Sequence, residues 1–225
     1  MQSCKHNNCH PFRPKASFSK LKRWFQDPNK PIDGCTLTNC AECSLKTQLD
    51  CHFNLQELVL FYLIIMPVFI LGGYLLFKLS LFWVFAWIAY MVLFFGFIEI
   101  RVMCSHCPHY GQKEGNTLKC WANYGAPKLW KYRPGPMSLI EKTIFISGFV
   151  ILFSFPIVAT FYTQSYYLLL FYLVFLFFWK VMLKRIYCSH CNNFACPFNS
   201  TNIKLKKQFL EQNPNIAQAW RKNKK

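Results

Sequence analysis

Leu79-Ser-Leu-Phe-Trp-Val-Phe-Ala-Trp-Ile-Ala-Tyr-Met-Val-Leu-Phe-Phe-Gly-Phe-Ile98 runs for twenty residues without a charge. As a helix it is about 30 Å long, the thickness of a bilayer's hydrocarbon core. Three more apolar runs, residues 58–77, 144–162 and 166–183, have nearly the same length and interrupt their apolar character with a single charge, Lys180. The composition agrees: 53% hydrophobic and 19% aromatic residues, with 24 Phe against 9 acidic side chains, are too apolar for one soluble domain of 225 residues. Disorder, a collagen-like chain and an ordinary soluble enzyme are excluded. The expected fold is an all-α integral membrane protein with four transmembrane helices in two tandem hairpins and a Cys-rich, loop-rich cytoplasmic cap. One hairpin turns between Gly72 and Ser80, the other around Thr163 and Gln164. Pro67 and Pro156 are expected to kink their helices.

The hairpins divide the chain into a Cys- and His-rich region at residues 1–57, hairpins at 58–100 and 143–184, a linking loop at 101–142 and a tail at 185–225. Lys and Arg outnumber Asp and Glu by 26 to 9, a net charge of +17. Eight of these cations precede the first run, seven lie from Arg101 to Lys142, two are Lys184 and Arg185, and seven follow Asn202; only Lys78 lies at a far turn. This one-sided distribution places both termini and the linking loop in the cytoplasm. Topology and anionic headgroups account for the charge, so no nucleic-acid partner is expected. The first fifty residues have no apolar core or small-residue cleavage site, and no secretory signal is expected there.

An internal repeat appears at an offset of 84. Asn54-Leu-Gln-Glu57 corresponds to Ser138-Leu-Ile-Glu141, both with the form of a helix N-cap followed by Glu. Arg101-Val-Met-Cys104-Ser-His-Cys107 corresponds to Arg185-Ile-Tyr-Cys188-Ser-His-Cys191. Parallel hairpins of this kind are related by a pseudo-twofold along the membrane normal, which brings the two Cys-Ser-His-Cys segments to one end of the bundle.

All 12 Cys and all six His fall on the cytoplasmic side of this topology. Thiols at two-residue spacing in a reducing compartment suit a soft metal better than a disulfide. The candidate ligands form three groups: Cys35, Cys40, Cys43 and Cys51; Cys104, Cys107 and Cys120; and Cys188, Cys191 and Cys196. The first has the C-x4-C-x2-C spacing, with a further Cys, of plant-type ferredoxin runs. The others lack a fourth thiol, for which His109, Cys4 or Cys9 could serve, or the two repeated motifs could share one site. Isolated Cys4, Cys9 and Cys51 also suit palmitoylation. Structural zinc fits these thiols, and so does iron-sulfur, which Cys107-Pro108 and Cys196-Pro197 favour. Haem is not expected, since no C-x-x-C-H occurs and no His lies within a span.

The spans hold no acidic residue at mid-depth, which disfavours an ion pathway. Trp121, Tyr124, Trp130 and Tyr132 alternate with Lys128, Lys131 and Arg133 in a mixture suited to the headgroup layer, to an acidic protein partner or to a quinone. Phe18, Leu21 and Phe25 form one face of a basic helix expected to lie on the membrane surface. The functional expectation is a membrane-anchored iron-sulfur electron-transfer component serving a cytoplasmic protein partner. The alternatives are a zinc-stapled scaffold without catalysis, and a metal-handling or thiol-exchange protein with exposed dithiols. No nucleophile triad, phosphate loop or H-E-x-x-H points to a hydrolase or transferase.

Overall fold

The computed structural model describes residues 29–113 and 115–222. Cys4, Cys9, the segment containing Phe18, Leu21 and Phe25, and the last three lysine and asparagine positions lie outside them. Four helices are long and apolar enough to cross a bilayer: α1 (Leu55–Leu79), α2 (Leu81–His106), α3 (Leu139–Thr163) and α4 (Tyr166–Cys188). Two short helices, α5 (Ile203–Gln212) and α6 (Pro214–Lys222), follow. Named strands are absent among the described residues, and Thr117 and Pro127 form an isolated bridge. The chain is a membrane protein.

Each helix extends beyond its apolar run, for a local reason. Asn54 caps α1 by accepting a bond from the Gln56 amide, so the helix begins at Leu55 rather than Leu58. Ser138 and Glu141 form a complete capping box and start α3 at Leu139, five residues before its apolar run. At the other end, α2 passes through a π-helical turn at Phe94–Ile98, a helical turn at Glu99–Val102 and a 3₁₀ turn at Cys104–His106. α4 ends in a π-helical stretch, Leu183–Cys188. The first cysteine of each repeated motif therefore lies on the last turn of a helix.

The turns are as short as their sequence requires. Ser80 alone separates α1 from α2, while Gln164 adopts a left-handed conformation at φ 51° before Ser165 opens α4. Lys78 donates to the Ser165 hydroxyl, joining the two turns.

α1 and α3 form the inner pair, and α2 and α4 lie outside it: 28% and 39% of the inner apolar segments are buried, against 11% of each outer one. α1 contacts all three other helices. Between them sit Ile65, Val68, Leu75, Trp87, Leu152 and Tyr172. Gly72 lets the helices approach, since a Cβ there would stand 3.0 Å from Trp87 and 3.2 Å from Pro156. Pro156 has no N–H for the Leu152 carbonyl four residues earlier. The Trp87 indole supplies that donor at 2.9 Å, and Tyr172 donates to the next carbonyl, Phe153, at 3.2 Å. Both prolines lie inside continuous helices.

The connecting segments meet at the end of the bundle where α1 and α3 begin. Ile32, Leu45 and Leu49 pack with Phe194, Phe209 and Ile216. Lys206 lies 3.7 Å from the centre of the Trp220 ring, a cation–π contact that joins α5 to α6. The linking loop is ordered by Arg133, which bonds the Arg101 carbonyl and Ser105 hydroxyl and pairs with Glu141 at 2.6 Å. Its aromatic residues pack inward. Tyr124 stacks on Phe53, and Trp121 packs against Tyr187 at 4.6 Å between ring centres.

Candidate metal centre

The two repeated motifs converge on one cavity of about 250 Å³. Cys104, Cys107 and Cys120 line it from α2 and the linking loop, and Cys188, Cys191 and Cys196 line it from the end of α4 and the segment that follows. Two groups that the sequence separates by more than sixty residues thus form one arrangement. Free thiols account for all ten described cysteines; none is in a disulfide.

Four of these sulfurs receive backbone amides. Cys120 accepts from the Ala122 N–H at 3.4 Å, and Cys191 from the Asn193 N–H at 3.4 Å. The amides of His109 and Tyr110 face Cys107, and those of Phe198 and Asn199 face Cys196. A tight turn after each cysteine folds the chain back so that its N–H groups point at the sulfur. Such donors favour the thiolate, the form that binds metal.

Burial acts in the opposite direction. It pushes the Cys107 thiol up, and neighbouring Cys120 adds to the effect. Burial likewise raises Cys191, reinforced by Cys107 and Cys196, and takes Cys196 to about 12. Cys120 is raised by burial against the pull of the Asn123 and Ala122 amides. Burial favours the neutral thiols, and four anions lining one cavity would also repel each other. A bound cation removes that cost.

Side chains that the sequence did not single out complete the wall. Glu99 is 4% exposed; its Oε1 accepts from Asn123 Nδ2 at 3.2 Å, and its Oε2 is buried with no hydrogen-bond partner among the described residues. The same Asn123 amide donates to Cys104 Sγ at 3.2 Å. Its only sequence signal is an acidic residue near the end of an apolar helix, where a carboxylate ordinarily meets the bilayer surface. Asn123 carries no comparable signal, because its part depends on a loop folding back onto α2. His109 lies in the wall, with Nε2 bonded to the Asp50 carbonyl at 3.0 Å and a buried Nδ1 without a partner. Burial lowers its pKa to about 4, so the ring is neutral and able to ligate.

The first cysteine group forms a second arrangement. Cys40 is raised by burial and then by Cys43 and Cys35, and Cys51 is pushed up to about 12 by burial and then by Cys43 and Cys40. Cys51 packs with Cys35 and Cys43 against the cluster of Ile32, Leu45 and Leu49. Asn39 starts the short turn Cys40–Glu42 by accepting from the Ala41 amide, and Cys43 lies 3.7 Å from Gln212 Oε1 at the end of α5. Asp50 links the arrangements. Its amide donates to the His190 carbonyl at 2.8 Å, and its carbonyl is the partner of His109.

Among the described residues, no three His, Cys, Asp or Glu side chains converge at a spacing that would hold a single ion. Comparison with known proteins found no match to a family model, to a curated protein or to a solved structure.

Proposed function

We propose that this protein is a membrane-anchored iron-sulfur electron-transfer component. Its two hairpins are a tandem repeat about a pseudo-twofold, and its Cys-rich cap and both termini face the cytoplasm. The observation that carries this reading is the set of four sulfurs, Cys107, Cys120, Cys191 and Cys196, each faced by backbone amides and all lining one cavity. A tetrahedral zinc ion with Zn–S distances of about 2.3 Å would draw four sulfurs to within about 3.8 Å of one another. Six cysteines line the cavity, more than the four ligands of one zinc ion, whereas a polynuclear cluster binds its thiolates at different iron atoms. An iron-sulfur cluster bound there would supply reversible one-electron transfer. Cys35, Cys40, Cys43 and Cys51 make a second four-thiol set with ferredoxin-like spacing, and Asp50 provides backbone continuity between the two sets.

The protein's part is to hold the sulfurs, direct amides at them and exclude water with Phe61, Trp121 and Phe145. The paired helix contacts, α1 with α4 and α2 with α3, support a repeat about the α1–α3 interface. The thiol-exchange alternative is disfavoured because its reactive cysteine needs access and a lowered pKa, whereas burial raises Cys107 and Cys191.

Anaerobic purification followed by metal and sulfide analysis and a visible spectrum tests the proposal. Iron with acid-labile sulfide, and broad absorption that bleaches on reduction, is the expected result. Colourless protein with stoichiometric zinc would establish the scaffold alternative instead.

A further inference from the structure

The cavity does not end at the sulfurs. It continues between the helices along Ile65, Phe69, Phe95 and Phe149 to Trp179, which belongs to the apolar core of the bundle. Two residues that line the cavity each carry a buried polar atom without a hydrogen-bond partner among the described residues. Trp179 Nε1 is a buried donor without an acceptor, in a residue 7% exposed, and Glu99 Oε2 is a buried acceptor without a donor, in a residue 4% exposed. An unmade hydrogen bond of this kind costs about 1–3 kcal/mol. Two such groups on one aromatic-walled cavity mark a ligand with complementary polar atoms.

We infer that this bilayer end of the cavity binds the head group of an isoprenoid quinol. The ring matches the aromatic walls. A quinol hydroxyl donates to Glu99 Oε2, and an oxygen on the ring accepts from the Trp179 indole N–H. A lipid acyl chain would leave both atoms unpaired. Tyr62, which is 46% exposed on α1, also lines the cavity, so the wall reaches the lipid-facing surface and gives a lipophile a way in. The inference rests on the redox reading for its role, since a membrane quinol would be the electron-transfer partner of the thiol centre, but the binding site itself can be tested separately.

The test uses the full chain, purified anaerobically and placed in lipid nanodiscs, with a short-chain 1,4-benzoquinol as probe. Binding is measured by centrifugal partition against empty nanodiscs, and iron per chain is determined on the same samples. One saturable site per chain is expected, weakened roughly tenfold by Trp179→Phe, which removes the N–H and keeps an aromatic ring. Ile65→Phe, which fills the channel between the helices, should also weaken it and serves if the tryptophan variant does not fold. Partition equal to that of empty nanodiscs, or saturable binding that neither substitution changes, overturns the site. Saturable, Trp179-dependent binding in protein without iron upholds the site and removes the redox reading. Iron without saturable binding does the reverse.

Discussion

Cys107 and Cys191 occupy equivalent places in the two motifs, and each is raised by the other's neighbours in the same cavity. Cys107→Ser and Cys191→Ser should therefore each remove the same iron, and the double substitution should remove no more than either alone. Cys43→Ser should remove a different portion, held by the N-terminal set. Additive losses for Cys107 and Cys191, read by iron per chain, would mean separate sites. A related expectation concerns reactivity. Cys196, near 12 rather than an ordinary 9, has a thiolate fraction at neutral pH about 1000-fold below that of an unperturbed cysteine. In chelator-treated, folded protein it should be alkylated correspondingly slowly, and rapid labelling before unfolding would contradict its burial. Asn123 joins Glu99 to Cys104 through one amide group. Asn123→Leu leaves a buried carboxylate oxygen and a sulfur without that donor, and should destabilise the protein by about 1–3 kcal/mol, measured by unfolding in detergent.

Among the elements, α3 is held by groups from its neighbours at the carbonyls around its proline. Trp87→Phe retains an aromatic ring but leaves the Leu152 carbonyl with neither a backbone nor an indole donor. A loss of about 1–3 kcal/mol is expected, and it should shrink when Pro156 is replaced by Ala, which restores the backbone N–H. An unchanged effect in that background would show that the indole acts through packing alone. Gly148 presents a purely steric case. A Cβ there would overlap the Phe94 ring, within the π-helical turn of α2. Gly148→Ala should cost at least about 1–3 kcal/mol by overpacking, and Phe94→Leu should recover part of it. The helix lengths show how far local patterning reaches. Apolar runs located the spans within a few residues, but caps at Asn54 and Ser138 and extensions to His106 and Cys188 set their ends. The extensions matter chemically, because they put Cys104 and Cys188 on ordered helix ends.

For the whole molecule, the charge distribution makes a topological prediction. Epitope tags at the two termini should both be protected from protease in sealed right-side-out vesicles and cleaved in inverted ones. Tags on opposite sides, or both exposed in right-side-out vesicles, would overturn the orientation. The four spans, the short turns and the grouping of cysteines were legible from the amino-acid order alone, because hydropathy, charge and two-residue thiol spacing are local properties that add along a chain. The tertiary structure decided which cysteines meet. It joined Cys104, Cys107 and Cys120 with Cys188, Cys191 and Cys196, and buried Glu99 and Trp179 with polar atoms unpaired among the described residues. Those outcomes depend on helix packing around Gly72 and Gly148 and on loops that return to the bundle from distant positions. A shared cavity is a property of pairs far apart in sequence, and no local pattern encodes its depth, its dryness or the groups left facing one another.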